Sequence, residues 1–183
     1  MKLTMILFLA LSIGMTNANA QKMDGLDKSP MDMAYYPDNF AHDRKFDPKL
    51  IGDLPAIIRV TYSRPAKKDR EIFGKLIPYN KVWRVGANEA PEIKFYRDVI
   101  IQGKTVKAGV YSLFTIPNAN EWTIILNSDL DVWGAYSYDQ SHDVLRVNVP
   151  VKKYDKVIED FSIKFRKGKE NEAIMMLGWD TTL

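Results

Sequence analysis

The sequence predicts an all-β fold: a single-domain antiparallel β-sandwich, or a barrel-like variant, of about eight short strands with an extended N-terminal arm. Three observations carry this expectation. From Pro55 onward apolar residues recur with a period of two. Glycine, proline and asparagine interrupt that pattern at close spacing. No stretch of useful length carries the 3.6-residue period of an amphipathic helix. The chain accordingly divides into a leader over residues 1–20, an arm over 21–54 and a strand-bearing domain over 55–183, with no repeat and no low-complexity segment.

The leader opens with Lys2, runs through an apolar core from Leu3 to Met15 and ends in Ala18-Asn19-Ala20 before Gln21. That is the pattern of a secretory signal with a small-residue cleavage site. Its apolar run is short for a bilayer span, so no stable membrane anchor is expected after cleavage, and the expected location is periplasmic or secreted. In the arm, Pro30, Pro37 and Pro48 leave no room for a long helix. Met31, Met33, Tyr35, Tyr36 and Phe40 are too apolar for a free tail, so the arm is expected to lie on the domain, anchored by Ser29-Pro30-Met31-Asp32-Met33.

Within the domain, Ile58, Val60 and Tyr62 alternate with Ile57, Arg59 and Thr61 until Pro65 ends the run. Ile93 and Phe95 alternate with Glu92 and Lys94. Val99 to Ile101 and Thr105 to Lys107 flank Gln102-Gly103-Lys104, which reads as a hairpin turn because glycine takes positive φ without steric cost. Strands follow over Val110 to Ile116, Glu121 to Asn127 and Asp143 to Val149. Phe161, Ile163 and Phe165 mark another, after Lys152 to Glu159, where a helical turn fits. Ala173 to Trp179 is apolar on both faces, as expected of a strand in the middle of a sheet.

Composition narrows the chemistry. The chain has no cysteine, which removes disulfides, thiol catalysis and cysteine-based metal sites. The formal net charge is only +3, and the positive excess is local: from Tyr62 to Ala90 seven Lys/Arg stand against three acids. One basic stretch on a weakly charged whole does not suit a dedicated nucleic-acid binder, which draws its affinity from many phosphate contacts.

Several motifs together resemble a known family. They include Ser63-Arg64-Pro65, Ile72-Phe73-Gly74, Val82-Trp83-Arg84, Gly86-Ala87-Asn88-Glu89-Ala90, Ala108-Gly109-Val110-Tyr111-Ser112-Leu113-Phe114, Trp133-Gly134-Ala135-Tyr136 and Asp143-Val144-Leu145-Arg146-Val147. In this order they resemble the bacterial secreted family catalogued as domain of unknown function 2911. The resemblance implies a secreted β-rich domain and lends no activity, substrate or catalytic residue.

The sharpest candidate site is the run from Trp83 to Glu89. Gly86 permits a tight turn that would bring the guanidinium of Arg84, the amide of Asn88 and the carboxylate of Glu89 together. Arginine grips an oxyanion with two parallel hydrogen bonds, and the ring of Trp83 offers a stacking surface. The competing reading is that Arg84 and Glu89 pair only with each other. Arg64, Lys67, Lys68 and Arg70 would attract an anion, although the interleaved Asp69 and Glu71 favour a solvated charged loop. Trp133, Tyr136 and Tyr138 read either as a platform for sugars or, preferably, as core and cross-strand pairs.

No metal or cofactor is expected. Asp129, Asp131 and Gly134 fall on the first, third and sixth positions of a calcium loop, but Trp133 and Gln140 occupy its fifth and twelfth. His42 and His142 are the only histidines and show no triad spacing. Neither a P-loop nor a dinucleotide fingerprint occurs. The expected function is binding of a small polar or anionic ligand through Trp83, Arg84, Asn88, Glu89 and Arg64. The alternatives are a carbohydrate-directed hydrolase or lyase using Glu89 with a second carboxylate such as Asp32 or Asp180, and an envelope structural protein. The sequence leaves open whether the protein is an enzyme, and its oligomeric state.

Overall fold

The computed structural model describes residues 25–52 and 55–183; the expected signal, residues 1–20, lies outside them. Strands dominate and pair antiparallel throughout. In chain order they are β1 (Met31–Tyr36), β2 (Ile58–Ser63), β3 (Glu92–Phe95), β4 (Val99–Ile101), β5 (Lys104–Val106), β6 (Gly109–Ile116), β7 (Glu121–Asn127), β8 (Asp143–Pro150), β9 (Lys153–Lys167) and β10 (Ala173–Thr182). Two short helices, α1 (Phe40–Phe46) and α2 (Pro48–Ile51), lie between β1 and β2.

Six strands form one sheet in the order β1-β2-β3-β6-β7-β8, while β9 and β10 form a separate two-stranded ribbon and β4 and β5 a hairpin. The ribbon lays the side chains of Phe161, Ile163, Phe165 and Trp179 onto one face of the large sheet. From that face come Val60 and Tyr62 of β2, Ile93 and Phe95 of β3, Leu113 of β6, Trp122, Ile124 and Leu126 of β7, and Leu145 and Val147 of β8. The hairpin adds Val106 to the same core, and its turn places Gln102 and Gly103 at positive φ. The result is a sandwich whose second layer is built from two pieces; no closed barrel forms.

At the centre stands Trp83, 5% exposed. Its indole stacks on Trp179 (centroids 6.1 Å apart, planes 15° apart) and meets Phe161, Phe73 and Trp122 edge-on at 5.5, 5.8 and 6.0 Å. Trp83 belongs to no strand, yet its backbone bridges to Thr115 of β6 through bonds of 2.7 and 2.9 Å.

Four expectations change. The arm is not merely laid on the domain: β1 pairs with β2 from Met31↔Ser63 to Tyr36↔Ile58 and is the edge of the large sheet. Ten strands form where about eight are expected, and the one without an expected counterpart is β1. The expected helical turn at Lys152 to Glu159 is the first half of β9, where both faces meet solvent and the alternation is erased by charge. Nor is β10 in mid-sheet; it is one of two strands in the ribbon, with Met175 and Leu177 packed against the core and Ile174 and Met176 half-buried on the other side.

No helix among the described residues is long and apolar enough to cross a membrane. Because Phe161 is fully buried between the layers, Phe161→Ala is expected to lower unfolding stability by about 3–5 kcal/mol. Denaturant titration checks this, and a loss below about 1 kcal/mol would mean that the ribbon is not part of the cooperative core.

Candidate functional site

Five segments far apart in sequence converge on one cavity of about 470 Å³. Lys28 and Ser29 enter from the residue run before β1, and Pro65, Ala66, Lys68 and Arg70 from the loop after β2. Leu76 and Ile77 make an apolar edge, Arg84, Gly86 and Ala87 form a wall, and Trp179 of β10 completes the lining. Four of these side chains are cationic, Lys28, Lys68, Arg70 and Arg84, and none is acidic.

The loop after β2 is pinned onto β9. Lys67 N–H donates to the Glu159 carbonyl at 2.7 Å, Lys68 N–H to Glu159 Oε1 at 2.7 Å, and Phe161 N–H to the Pro65 carbonyl at 3.0 Å. Trp179 Nε1 donates to the same Glu159 carbonyl at 3.1 Å. Arg70 folds back on its own loop, donating to the carbonyls of Lys67 and Ala66. Its charge is still free of any carboxylate among the described residues.

The wall from Arg84 to Ala87 is held in an unusual backbone shape. Val85, fully buried, sits at φ 61°, a left-handed conformation that β-branched residues rarely take. Gly86 follows at φ 145°, and a Cβ placed there would lie 3.0 Å from the Ser63 carbonyl oxygen. The buried hydroxyl of Ser63 donates to the Ala87 carbonyl and accepts from Ala87 N–H, stitching this turn to the end of β2. Strain of this kind persists only where surrounding contacts over-determine it, and it collects at functional sites.

Arg84 is half-buried beside this turn. Its Nε has no hydrogen-bond partner, and the residue makes no ion pair among the described residues. Burial pushes its guanidinium below the ordinary value, opposed by the nearby Tyr136 phenol. It remains charged at neutral pH, as arginine does in proteins. A partly desolvated guanidinium without a carboxylate is costly to hold, and an oxyanion is the kind of group that would offset the cost.

A second loop, between β7 and β8, is clasped to the far side of the turn. Ala90 N–H donates to the Val132 carbonyl at 3.0 Å, Gly134 N–H to the Asn88 carbonyl at 2.9 Å, and Glu89 bridges to Trp133. The other end of this loop is locked to β8: Tyr138 hydroxyl donates to Asp143 at 2.7 Å, Arg146 Nε donates to the same oxygen at 2.7 Å, and Asn127 donates to the other at 3.0 Å. His142 Nδ1 lies 2.8 Å from Asp129 at the surface. Two rings stand out from the clasped loop, Trp133 at 59% and Tyr136 at 89% exposed. Tyr138 instead packs under it against Phe114.

The residues singled out by the sequence therefore separate. Arg84 lines the cavity. Trp83 does not offer its ring to a ligand, because it is the hub of the core. Asn88 is a left-handed turn residue at φ 59° whose carbonyl serves the clasp. Glu89 is exposed, lies outside the cavity lining and forms no ion pair with Arg84. Arg64 spends its donors within the fold, on Asp32 (3.1 Å), Ser162 Oγ (3.0 Å) and the Phe161 carbonyl (3.2 Å), tying β1 and β2 to β9. Asp32, named as an acid partner for Glu89, is engaged by Arg64 and by the Tyr62 hydroxyl at 3.3 Å. Among the described residues no three His, Asp or Glu gather as a metal site. Lys28 and Trp179 escaped notice because only the fold brings them to Arg84. Lys68 and Arg70 are visible as charges in the sequence, but the acids interleaved with them, Asp69 and Glu71, are not among the residues that line the cavity.

Two outcomes test this geometry. The added Cβ of Gly86→Ala meets backbone, so the substitution is expected to destabilise the protein by about 1–3 kcal/mol in denaturant titration; an unchanged midpoint would show that the turn is not constrained. The Asp129 carboxylate holds His142 above its ordinary value, chiefly through their hydrogen bond. The contribution of this pair is thus complete below about pH 6.5 and is lost as pH rises through the higher folded value. Proton NMR should place the His142 midpoint above the ordinary value and Asp129→Asn should return it; a midpoint at or below the ordinary value would refute the pairing.

No curated protein and no solved structure matches the chain. A family model does, over residues 54–183, which takes in every strand from β2 to β10 and leaves out β1. By that match the chain belongs to the family described as protein of unknown function (DUF2911).

Proposed function

We propose that this protein is a secreted or periplasmic binding module for a small anionic ligand, taken into the cationic cavity and held by Arg84. The observation that carries the reading is a half-buried arginine with an unpartnered Nε, standing in a cavity that four cations line and no carboxylate enters. The exposed Lys68 and Arg70 act through the field, drawing an anion toward the opening and losing that pull as salt rises. Arg84, less solvated, supplies the directional hydrogen bonds. Pro65, Ala66, Leu76, Ile77 and Trp179 supply the apolar part of the cavity wall.

Acid–base hydrolysis finds no support in this cavity, because a two-carboxylate mechanism needs both groups on the scissile bond and none lines it.

Titration calorimetry with inorganic phosphate at low ionic strength is the direct test. Binding is expected, weakening as sodium chloride is added, and Arg84→Gln should reduce affinity by about tenfold or more. If neither phosphate nor sulfate binds, or if Arg84→Gln binds as the unaltered protein does, the reading is wrong.

A further inference from the structure

Resting on that reading, we propose that the ligand is a ring-bearing phosphate ester, its phosphate at Arg84 and its ring against Tyr136. Tyr136 is not among the residues that line the cavity, so an ester held by its phosphate at Arg84 would carry its ring out past the arginine stem rather than fill the cavity. Four cations that form no ion pair among the described residues suit a group of more than one negative charge, and a phosphate monoester carries about 1.5 to 2 near neutral pH, where a carboxylate carries one.

The ring is placed by the clasped loop. Gly134 stands at φ 64°, and a Cβ there would lie 2.9 Å from the Tyr136 ring and 3.8 Å from Arg84 Cδ. The tyrosine ring is thus laid over bare backbone directly beside the stem of the ligand-holding arginine, a contact that any side chain at position 134 would block. Folding does not require this ring, since it is 89% exposed. Its support is nonetheless fixed, through the backbone bonds of Gly134 to Asn88 and Ala90 to Val132. A solvent-facing aromatic ring beside an arginine is a surface on which a sugar or aryl ring stacks while its phosphate is gripped.

The experiment is calorimetric titration of the full chain with inorganic phosphate, with hexose and pentose phosphates, with phenyl phosphate and with free glucose. At least one ring-bearing ester is expected to bind about tenfold more tightly than inorganic phosphate. Tyr136→Ala should remove that gain and leave inorganic phosphate binding unchanged, while Tyr136→Phe keeps it. The sugar and aryl arms identify which ring chemistry is preferred. If every ester binds no better than phosphate, or if Tyr136→Ala weakens phosphate and ester alike, the ring inference is overturned and the anion reading stands. If no phosphate compound binds, both fall.

Discussion

The indole of Trp83 is the contact on which the two layers and the cavity both depend. It is fully committed to the core, stacked on Trp179 of the ribbon and edge-on to Phe161, Phe73 and Trp122. Because it sits outside any strand, its position is set by packing and by the two bonds its backbone shares with Thr115. Arg84 is the next residue. Fixing Trp83 inward fixes where the chain leaves the core, and with Val85 buried on the other side the guanidinium is left at the cavity wall without a counter-charge among the described residues.

Most of the layered architecture was legible in the residues. The period-two runs of β2, β7 and β8 reported which side chains face the core, because burial on one face of a sheet leaves that pattern in the sequence. The turn at Gln102-Gly103 was legible for the steric reason that governs it. What stayed hidden were elements whose environment does not alternate. The first half of β9 is wet on both sides, and β10 is half-covered on both, so neither carries the pattern of a one-sided strand. β1 was read as an arm since prolines bracket it, yet an edge strand tolerates them where no ladder bond is needed.

The site was legible only in part, and the reason is topological. Local spacing drew attention to Trp83 through Glu89, and Arg84 is indeed at the cavity. Spacing cannot tell which neighbours in sequence point to the same place. Trp83 went to the core, Asn88 to a turn and Glu89 to solvent, while Lys28, Lys68 and Trp179 arrived from three other segments. Arg64 looked like a ligand cation for the same reason that it is a good structural one: its planar set of donors satisfies three partners at once.

One consequence of the converging walls concerns assembly. Lys28 stands before the first strand and Trp179 in the last, so the cavity closes only when the ribbon has docked across the large sheet. Contacts of such sequence separation are slow to form, since loop-closure entropy must be overcome before they are made. A chain still being synthesised lacks the complete cavity, however well its central strands have paired. Only the docked fold brings all the cavity residues together, and a ligand of the proposed kind, binding that form alone, would hold the two outermost segments together.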